Sequence, residues 1–219
     1  MHPVNTDGTL CDLRDLYRHI TFRSEGPKAT RYLNLYDYRF DFNATQHNVW
    51  RNLTCFVHGY RKEDLPDLLT YQKKNFASST FPNEALIQLY PLPSPHNHAW
   101  YYSWLPLQQL EFLKSRTLYE EHLYDNRVNN ILSKIRTHKP RVVLMYGMNN
   151  INRLKKSIQD FFDGTKFETI KATKLQIPQH HWTDLKETTI LITTQIPALR
   201  HNRIETGFDW EEFGKISQR

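Results

Sequence analysis

The sequence predicts a single α/β domain with a mostly parallel sheet that helices cover on both faces. Four short apolar runs, at 31–38, 85–90, 141–147 and 188–194, have the length of buried strands. Segments with the 3.6-residue spacing of amphipathic helices lie between these runs. Because two parallel strands need a crossover connection, strands that alternate with helices predict a parallel sheet. A chain of 219 residues is long enough to bury one core of this kind.

The elements of the first half follow in order along the chain. A helix predicted over 12–20 belongs to an N-terminal helical extension, 1–30, of a domain that spans 1–219. The strand at 31–38 is followed by a helix predicted over 43–57. The next strand ends at the sequence PLPSP, where proline removes the amides that a ladder or a helix would need.

The second half shows a clearer pattern. A helix predicted over 124–140 has an apolar stripe, basic residues in its last turns and Pro140 as its end. The strand at 141–147 leads through a glycine into a helix predicted over 149–164. The last strand, 188–194, is followed by a polar loop. Strands separated by helices in this way predict a parallel sheet covered on both faces.

Net charge and aromatic content point to a polyanionic partner. The chain carries a formal charge of +6 and contains 12 Tyr, 12 Phe and 5 Trp. Its basic residues are spread along the chain, which is typical of a basic folded surface rather than a disordered arm. Aromatic rings beside basic groups suit a protein that stacks on bases and binds phosphates. An aromatic core beneath a solvated basic surface accounts for the composition equally well.

Residue counts disfavour several other kinds of site. Cys11 and Cys55 are too few for a disulfide framework, an iron–sulfur cluster or a structural zinc site built on cysteines. The 11 histidines lack the i, i+4 spacing of a zinc protease, so we expect no metal. No apolar run approaches the ~18 residues of a membrane helix, and the N-terminus lacks the layout of a signal peptide. We therefore expect a cytoplasmic protein without a membrane partner.

Three polar loops mark the expected ligand site. In open α/β sheets, ligands bind beyond the carboxyl ends of the strands. The loops 36–48, 90–102 and 194–203, which follow predicted strands, are rich in Asp, Asn, His, Arg and aromatic residues. Structural loops tend to be short and rich in glycine or serine, whereas this chain has only 7 glycines. A functional site in these loops is therefore favoured over loop decoration.

Several stretches, taken in order, resemble the uracil-DNA glycosylase superfamily. PRVVLMYGMNNINRLKKSI resembles its strand that ends in glycine before a helix, and ILITTQIPALRHN with FDWEEFGKI resembles its last strand, intercalating loop and final helix. YLNLYDYR with NVWRNL resembles its first strand and water-activating loop, and LIQLYPLPSP its proline-rich DNA-gripping loop. The similarity spans about 31–213. Order and spacing carry it more than any single motif.

The resemblance implies both a fold and a reaction. The fold is a three-layer α/β/α sandwich around a four-stranded, mostly parallel sheet. The reaction is monofunctional hydrolysis of the N-glycosidic bond of a base flipped out of DNA, without metal or cofactor, leaving an abasic site. We expect a monomer that acts on double-stranded or single-stranded DNA containing a modified base.

The family's catalytic positions carry over to three residues. Asp37 in YDYR matches the carboxylate that positions water and stabilises the cationic sugar. Asn43 is the second candidate, because some branches of the family use an amide there, and Asp41 lies in the same loop. Gln195 stands where most members have the histidine that stabilises the leaving base. The competing interpretation of Asp37 is a turn or capping carboxylate.

Other residues are expected to hold the base and the DNA. Those expected to contact the base are Tyr36, Tyr38, Phe40, Asp41, Pro91, Asn97, His98 and Trp100. Those expected to contact DNA are Ser94, Pro95, Leu199, Arg200, His201, Asn202 and Arg203. Within the second group, Leu199 and Arg200 would enter the duplex.

The departures from the family pattern bear on the substrate. The strand at 85–90 lacks the asparagine that reads uracil in the best-known branch. The polar, aromatic loops suit a bulky modified pyrimidine, such as the glucosylated hydroxymethylcytosine that antiviral members remove from phage DNA. The alternatives are a plain uracil or mismatch repair glycosylase and a catalytically silent DNA-binding module on the same fold. A nucleotide-processing enzyme is less favoured, because glycine-rich phosphate loops are lacking.

Overall fold

The computed structural model describes residues 18, 21–26, 29–41, 44–78, 80–92, 100–104, 109–147, 150–172, 177–198 and 207–218. Its helices are α1 (Leu35–Phe40), α2 (Asn48–Arg61), α3 (Leu68–Lys74), α4 (Arg116–His138), α5 (Ile151–Phe161) and α6 (Trp210–Ser217), with 3-10 turns at Tyr101–Trp104 and Glu111–Lys114. Its strands are β1 (Thr21–Gly26), β2 (Ala29–Asn34), β3 (Val142–Tyr146), β4 (Glu168–Ile170), β5 (His180–Asp184) and β6 (Thr189–Thr193). The fold is thus a mixture of helix and sheet, as the sequence predicts.

The main sheet has four strands in the order β3-β6-β5-β4. β3 is parallel to β6, but β5 is antiparallel to both of its neighbours. The prediction of a mostly parallel sheet is therefore wrong for this sheet. The physical reason is a tight turn between β5 and β6, in which the Leu185 amide donates to the Thr188 carbonyl over 2.9 Å and Lys186 adopts a φ of 73°. The sequence of this turn contains neither Asn-Gly nor Asp-Gly, the pairs that usually indicate a tight hairpin turn.

Two of the four predicted sheet strands have other structures. The run 31–38 divides at Asn34, whose side chain accepts from the Tyr36 amide over 2.9 Å and caps α1. Its first part, β2, pairs only with β1 in a separate antiparallel hairpin. The run 85–90 is not a strand. Its main-chain carbonyls at Gln88 and Leu89 accept hydrogen bonds from the Arg127 guanidinium over 2.6 and 3.2 Å, instead of pairing with another strand.

The remaining elements confirm the sequence prediction more closely. The predicted bounds differ from the observed ones by one to eight residues for five elements: α2, α4, α5, β3 and β6. Of the predicted N-terminal helix, only Arg18 is among the described residues, and it is helical. The division into one domain with an extension over 1–30 stays a prediction.

Helices pack against both faces of the central strand, β6. Ile190 and Ile192 contact α4 and α5 on one face. Leu191 contacts α2 and α6 on the other face, through Phe56 and Phe213. All three β6 side chains have an exposed fraction of 0%. Among the described helices, none combines the length and the apolar character needed to span a bilayer.

Two glycines allow α2 and α6 to cross with their backbones in contact. A Cβ atom at Gly214 would collide with the Phe56 carbonyl and lie 2.6 Å from the Tyr60 amide nitrogen. A Cβ atom at Gly59 would collide with the Glu211 carbonyl. Because the obstructing atoms belong to backbone, they cannot move without shifting a helix.

We expect Gly214→Ala to lower the free energy of unfolding by about 1–3 kcal/mol through overpacking at this crossing. Helix propensity alone would make the same substitution stabilising by about 1 kcal/mol, so the sign of the change is decisive. Urea unfolding followed by circular dichroism measures it. Ile216→Ala, at an exposed position of α6, is the matched control and should change stability much less. A stabilised Gly214→Ala protein would contradict the close crossing.

Candidate functional site

The two parallel strands end at the same edge of the main sheet. We call this the carboxyl edge, formed by 146–147 after β3 and 193–197 after β6. Gly147 turns the chain with a φ of 69°, and a Cβ atom there would lie 3.3 Å from Cγ1 of Ile196. The loop after β6 therefore packs directly on the loop after β3. Ile196 itself remains 56% exposed at this edge.

Helix α2 begins at the carboxyl edge and runs back along the sheet. Near its start, the buried Asn52 side chain donates to the Pro197 carbonyl over 3.4 Å, beyond the end of β6. Near its end, the Tyr60 hydroxyl donates to the Arg141 carbonyl over 3.3 Å, immediately before β3. These two contacts fix the direction of α2 as opposite to that of β3. Its N-terminus therefore points out of the carboxyl edge.

The carboxyl edge carries the positive ends of two helix dipoles. α5 also begins here, four residues after Gly147, so two helix N-termini lie at one edge. Neither helix has an acidic residue in its first turn, so no carboxylate offsets the positive ends of the helix dipoles. Arg51 adds a cationic side chain to the first turn of α2, whereas Arg153, in the first turn of α5, is paired with Asp125 of α4 over 3.4 Å. Such an edge favours an anionic ligand.

Asp37 reaches the same region on helix α1. Tyr36 and Phe40 of α1 pack into a cluster with Trp50 of α2 and Tyr146 at the end of β3. Asp37 lies in the first turn of α1, and its side chain is exposed. Among the described residues, none donates a hydrogen bond to its carboxylate. The structure thus holds Asp37 on a short helix, rather than at a strand end, with its carboxylate open to a ligand.

The aromatic residues of α1 differ in how much they expose. Tyr36 and Tyr38 are half-buried, and the Arg39 guanidinium lies 4.5 Å from the centre of the Tyr38 ring. Phe40 is only 5% exposed and stacks on Trp50 with 5.4 Å between ring centres. Phe40 therefore packs in the core, where it anchors α1. The expectation that Phe40 contacts the base is wrong for this reason.

The described start of the proline-rich segment, 91–92, lies on the opposite face of the sheet, beside α4. α4 has 23 residues, about 34 Å, against about 17 Å for the five residues of β3, so its N-terminal half projects past the carboxyl edge. The Tyr119 hydroxyl of this half accepts from the Leu92 amide over 2.9 Å, beside the buried Pro91. The Trp100 indole donates to the Leu113 carbonyl over 2.7 Å and lies 5.0 Å from the Tyr119 ring. Pro91 and Trp100 thus flank the edge from the α4 face, and α1 flanks it from the α2 face.

Gln195 lies on the carboxyl edge, and its main-chain N–H donates to the Thr193 hydroxyl over 3.2 Å. Asp41 is exposed directly after α1. The other predicted site residues lie outside the described ranges. They are Asn43, Ser94, Pro95, Asn97, His98, Leu199, Arg200, His201, Asn202 and Arg203.

Two residues of this region were not found from the sequence. His47 caps α2, its Nδ1 accepting from the Trp50 amide over 3.4 Å. Gln72 of α3 is 1% exposed and bonds to the chain on both sides of the loop after α1. The position of His47 before an amphipathic helix was an available signal for a cap, although histidine is an uncommon cap. No sequence pattern marks Gln72, because its partners are main-chain atoms distant along the chain.

Other chemistries find less support among the described residues. Burial raises the pKa of the Cys55 thiol, which keeps it protonated and unreactive. Within the described ranges, no three His, Cys, Asp or Glu side chains group as a metal site. Asp37 and Asp41 are exposed carboxylates of α1 and of the described part of the loop that follows it.

Comparison of the chain with known protein families, with curated proteins and with solved structures found no match in any of the three.

The cap at His47 predicts a pH dependence of stability. Burial, and secondly the charge of Arg39, lower the pKa of His47 to about 4 from 6.5. The unfolded chain then binds a proton between these values while the folded chain does not, so stability falls as the pH drops from 6.5 to about 4. Because the ring is only partly buried, we expect a loss of about 1–2 kcal/mol.

His47→Asn is the control, since asparagine keeps a cap acceptor and cannot titrate. Urea unfolding of both proteins from pH 7 to pH 4 isolates the contribution of the ring. Equal losses in the two proteins would show that His47 is not held neutral by its surroundings.

Proposed function

We propose that this protein is a monofunctional DNA glycosylase that hydrolyses the N-glycosidic bond of a flipped-out modified base. The observation that carries the proposal is the exposed carboxylate of Asp37 beside an electropositive edge of the sheet. A carboxylate stabilises the positive charge that develops on the sugar, while a positive edge binds the phosphates on either side. The resemblance in sequence to the uracil-DNA glycosylase superfamily supports the same reaction.

In the proposed reaction, the bond between C1′ of the sugar and the base nitrogen breaks. Its electron pair leaves with the base, and the oxygen of a water molecule forms the new bond to C1′. Asp37 orients this water and accepts a proton from it. This proton is then transferred to the departing base, whose negative charge it neutralises. Gln195, on the carboxyl edge, would donate a hydrogen bond to that base through its amide. The products are a free base and an abasic site.

Binding of DNA at the carboxyl edge would offset the cost of flipping. Extruding a base costs a few kcal/mol, which stacking and phosphate contacts have to supply. The half-buried rings of Tyr36 and Tyr38 offer stacking surfaces, and Arg51 offers a cation. Leu199 and Arg200, outside the described residues, would enter the duplex.

We propose a bulky modified pyrimidine, such as glucosylated hydroxymethylcytosine of phage DNA, as the substrate, which implies a role in antiviral defence. The sequence HNHAWYY, which contains Asn97 and His98, lies mostly outside the described residues. Its amide and imidazole groups suit a base that carries hydroxyl groups. A site with buried donors disfavours a plain base, because each donor left unpaired costs about 1–3 kcal/mol.

Asp37→Ala should abolish base release and leave DNA affinity nearly unchanged, because the carboxylate acts on the transition state. Single-turnover release of base, together with a binding titration, measures the two effects separately. Asp160→Ala, an exposed carboxylate in the C-terminal half of α5, is the matched control and should keep the wild-type rate. If Asp37→Ala retains more than about a tenth of that rate, a loss below ~1.4 kcal/mol, then Asn43 or Asp41 is the better catalytic candidate.

A panel of modified DNAs tests the substrate. We expect release of hydroxymethylated or glucosylated cytosine, detected by mass spectrometry, and slow or no release of uracil. Efficient release of uracil alone would instead support plain uracil repair. Binding of DNA without release of any base from the panel would support the silent DNA-binding module.

Arg51→Ala should reduce the salt dependence of DNA binding. Each lost phosphate contact lowers the slope of log affinity against log salt by about 0.9 for duplex DNA. Lys139→Ala is the control, because Lys139 ends α4 at the opposite edge of the sheet. Equal slopes for the Arg51→Ala and wild-type proteins would place the DNA surface elsewhere.

A further inference from the structure

The side chain of Gln72 joins the two ends of the loop that follows α1. Its Nε2 donates to the Arg39 carbonyl over 2.8 Å and to the Thr45 carbonyl over 3.0 Å. Its Oε1 accepts from the His47 amide over 2.9 Å. One amide side chain thus satisfies a main-chain group before the loop and two main-chain groups after it. Gln72 is 1% exposed, so water does not compete for these bonds.

This arrangement depends on the chemistry of a glutamine. Only an amide side chain offers two donor hydrogens and an acceptor oxygen at its end. Glutamate at this position would place a charge against two carbonyl oxygens. Methionine would fill a similar volume and leave all three main-chain groups without a partner. The position therefore selects glutamine for its hydrogen bonds rather than for its size.

Among the described residues, two main-chain hydrogen bonds join parts of this loop to each other. The Ala44 amide donates to the Asp41 carbonyl over 2.9 Å, and the Thr45 amide donates to the Tyr38 carbonyl over 3.3 Å. Both of these bonds lie within the segment itself, whereas the Gln46 side chain donates to the Leu68 carbonyl and to Oε1 of Gln72, each over 3.4 Å, and so also joins the segment to α3. Gln72 links the segment to α3, and α3 also packs against α1 and α2.

We propose that Gln72 is a positioning residue, which holds the segment from Asp37 to His47 where the glycosylase reaction needs it. The inference rests on the proposed function, because that segment carries Asp37, Asp41 and Asn43. Because Gln72 is buried, it would act by holding the main chain of this segment rather than by touching the substrate. A displacement of about 1 Å in a catalytic group can cost about a hundredfold in rate.

Gln72→Met tests the proposal in the full-length chain. We expect at least a tenfold fall in the single-turnover rate of base release, with less than a twofold change in affinity for the same DNA. A merely structural role would not separate rate from affinity in the folded fraction of the protein. Amide hydrogen exchange should also become faster in 39–47, which reports the released loop directly.

Tyr71→Phe is the matched control, at the neighbouring position of α3. Tyr71 is buried, and its hydroxyl donates to Glu84 rather than to the loop, so the variant also loses one buried hydrogen bond. We expect it to be destabilised yet to keep the wild-type rate and the wild-type exchange of 39–47. An equal loss of rate in Tyr71→Phe would overturn the specific role of Gln72.

The outcomes separate the two proposals. Base release by the wild-type protein with an unchanged rate in Gln72→Met overturns the positioning role alone. No release by the wild-type protein from any modified DNA overturns the glycosylase and the positioning role with it. A loss of rate in Gln72→Met that appears together with faster exchange in 39–47 supports both.

Discussion

The complete burial of strand β6 is the constraint on which the rest of the structure depends. Its side chains alternate between two helical layers. Ile190 and Ile192 are covered by α4 and α5, and Leu191 is covered by α2 and α6. Its backbone groups require a strand on each side, which β3 and β5 supply. A shift of register by one residue would exchange the two sets of side chains and mismatch both layers.

The carboxyl edge is a consequence of this burial. Because β3 and β6 are parallel, both strands deliver their loops to the same side, and helices that run back along the sheet start there. The close crossing at Gly59 and Gly214 then holds α2 against α6, which fixes the N-terminus of α2 at the edge. The positive charge of the edge thus comes from the N-termini of helices that run back along the sheet as well as from arginine side chains.

Apolar contacts position α1, and hydrogen bonds position the loop that follows it. Tyr36 and Phe40 anchor the helix in a cluster with Trp50, and this burial leaves Asp37 on the outside. The loop that follows has few apolar side chains to bury, so hydrogen bonds from Gln72 hold it instead. Such bonds are directional, and they therefore specify a geometry more narrowly than apolar packing does.

By itself the sequence determined the amphipathic helices, the strands β3 and β6, and the net positive charge, because periodicity and charge are local properties of the chain. It also singled out Asp37, whose exposure is in keeping with a functional carboxylate but whose role stays a prediction. Only the tertiary structure decided the mixed sheet, since the pairing of β5 with β6 depends on a turn at Lys186 without a sequence signature. It likewise decided that 85–90 bonds to Arg127 instead of joining the sheet, and that Gln72 bonds to the loop after α1. These hydrogen bonds join main-chain atoms to side chains 25 to 39 residues away along the chain, so no local pattern predicts them.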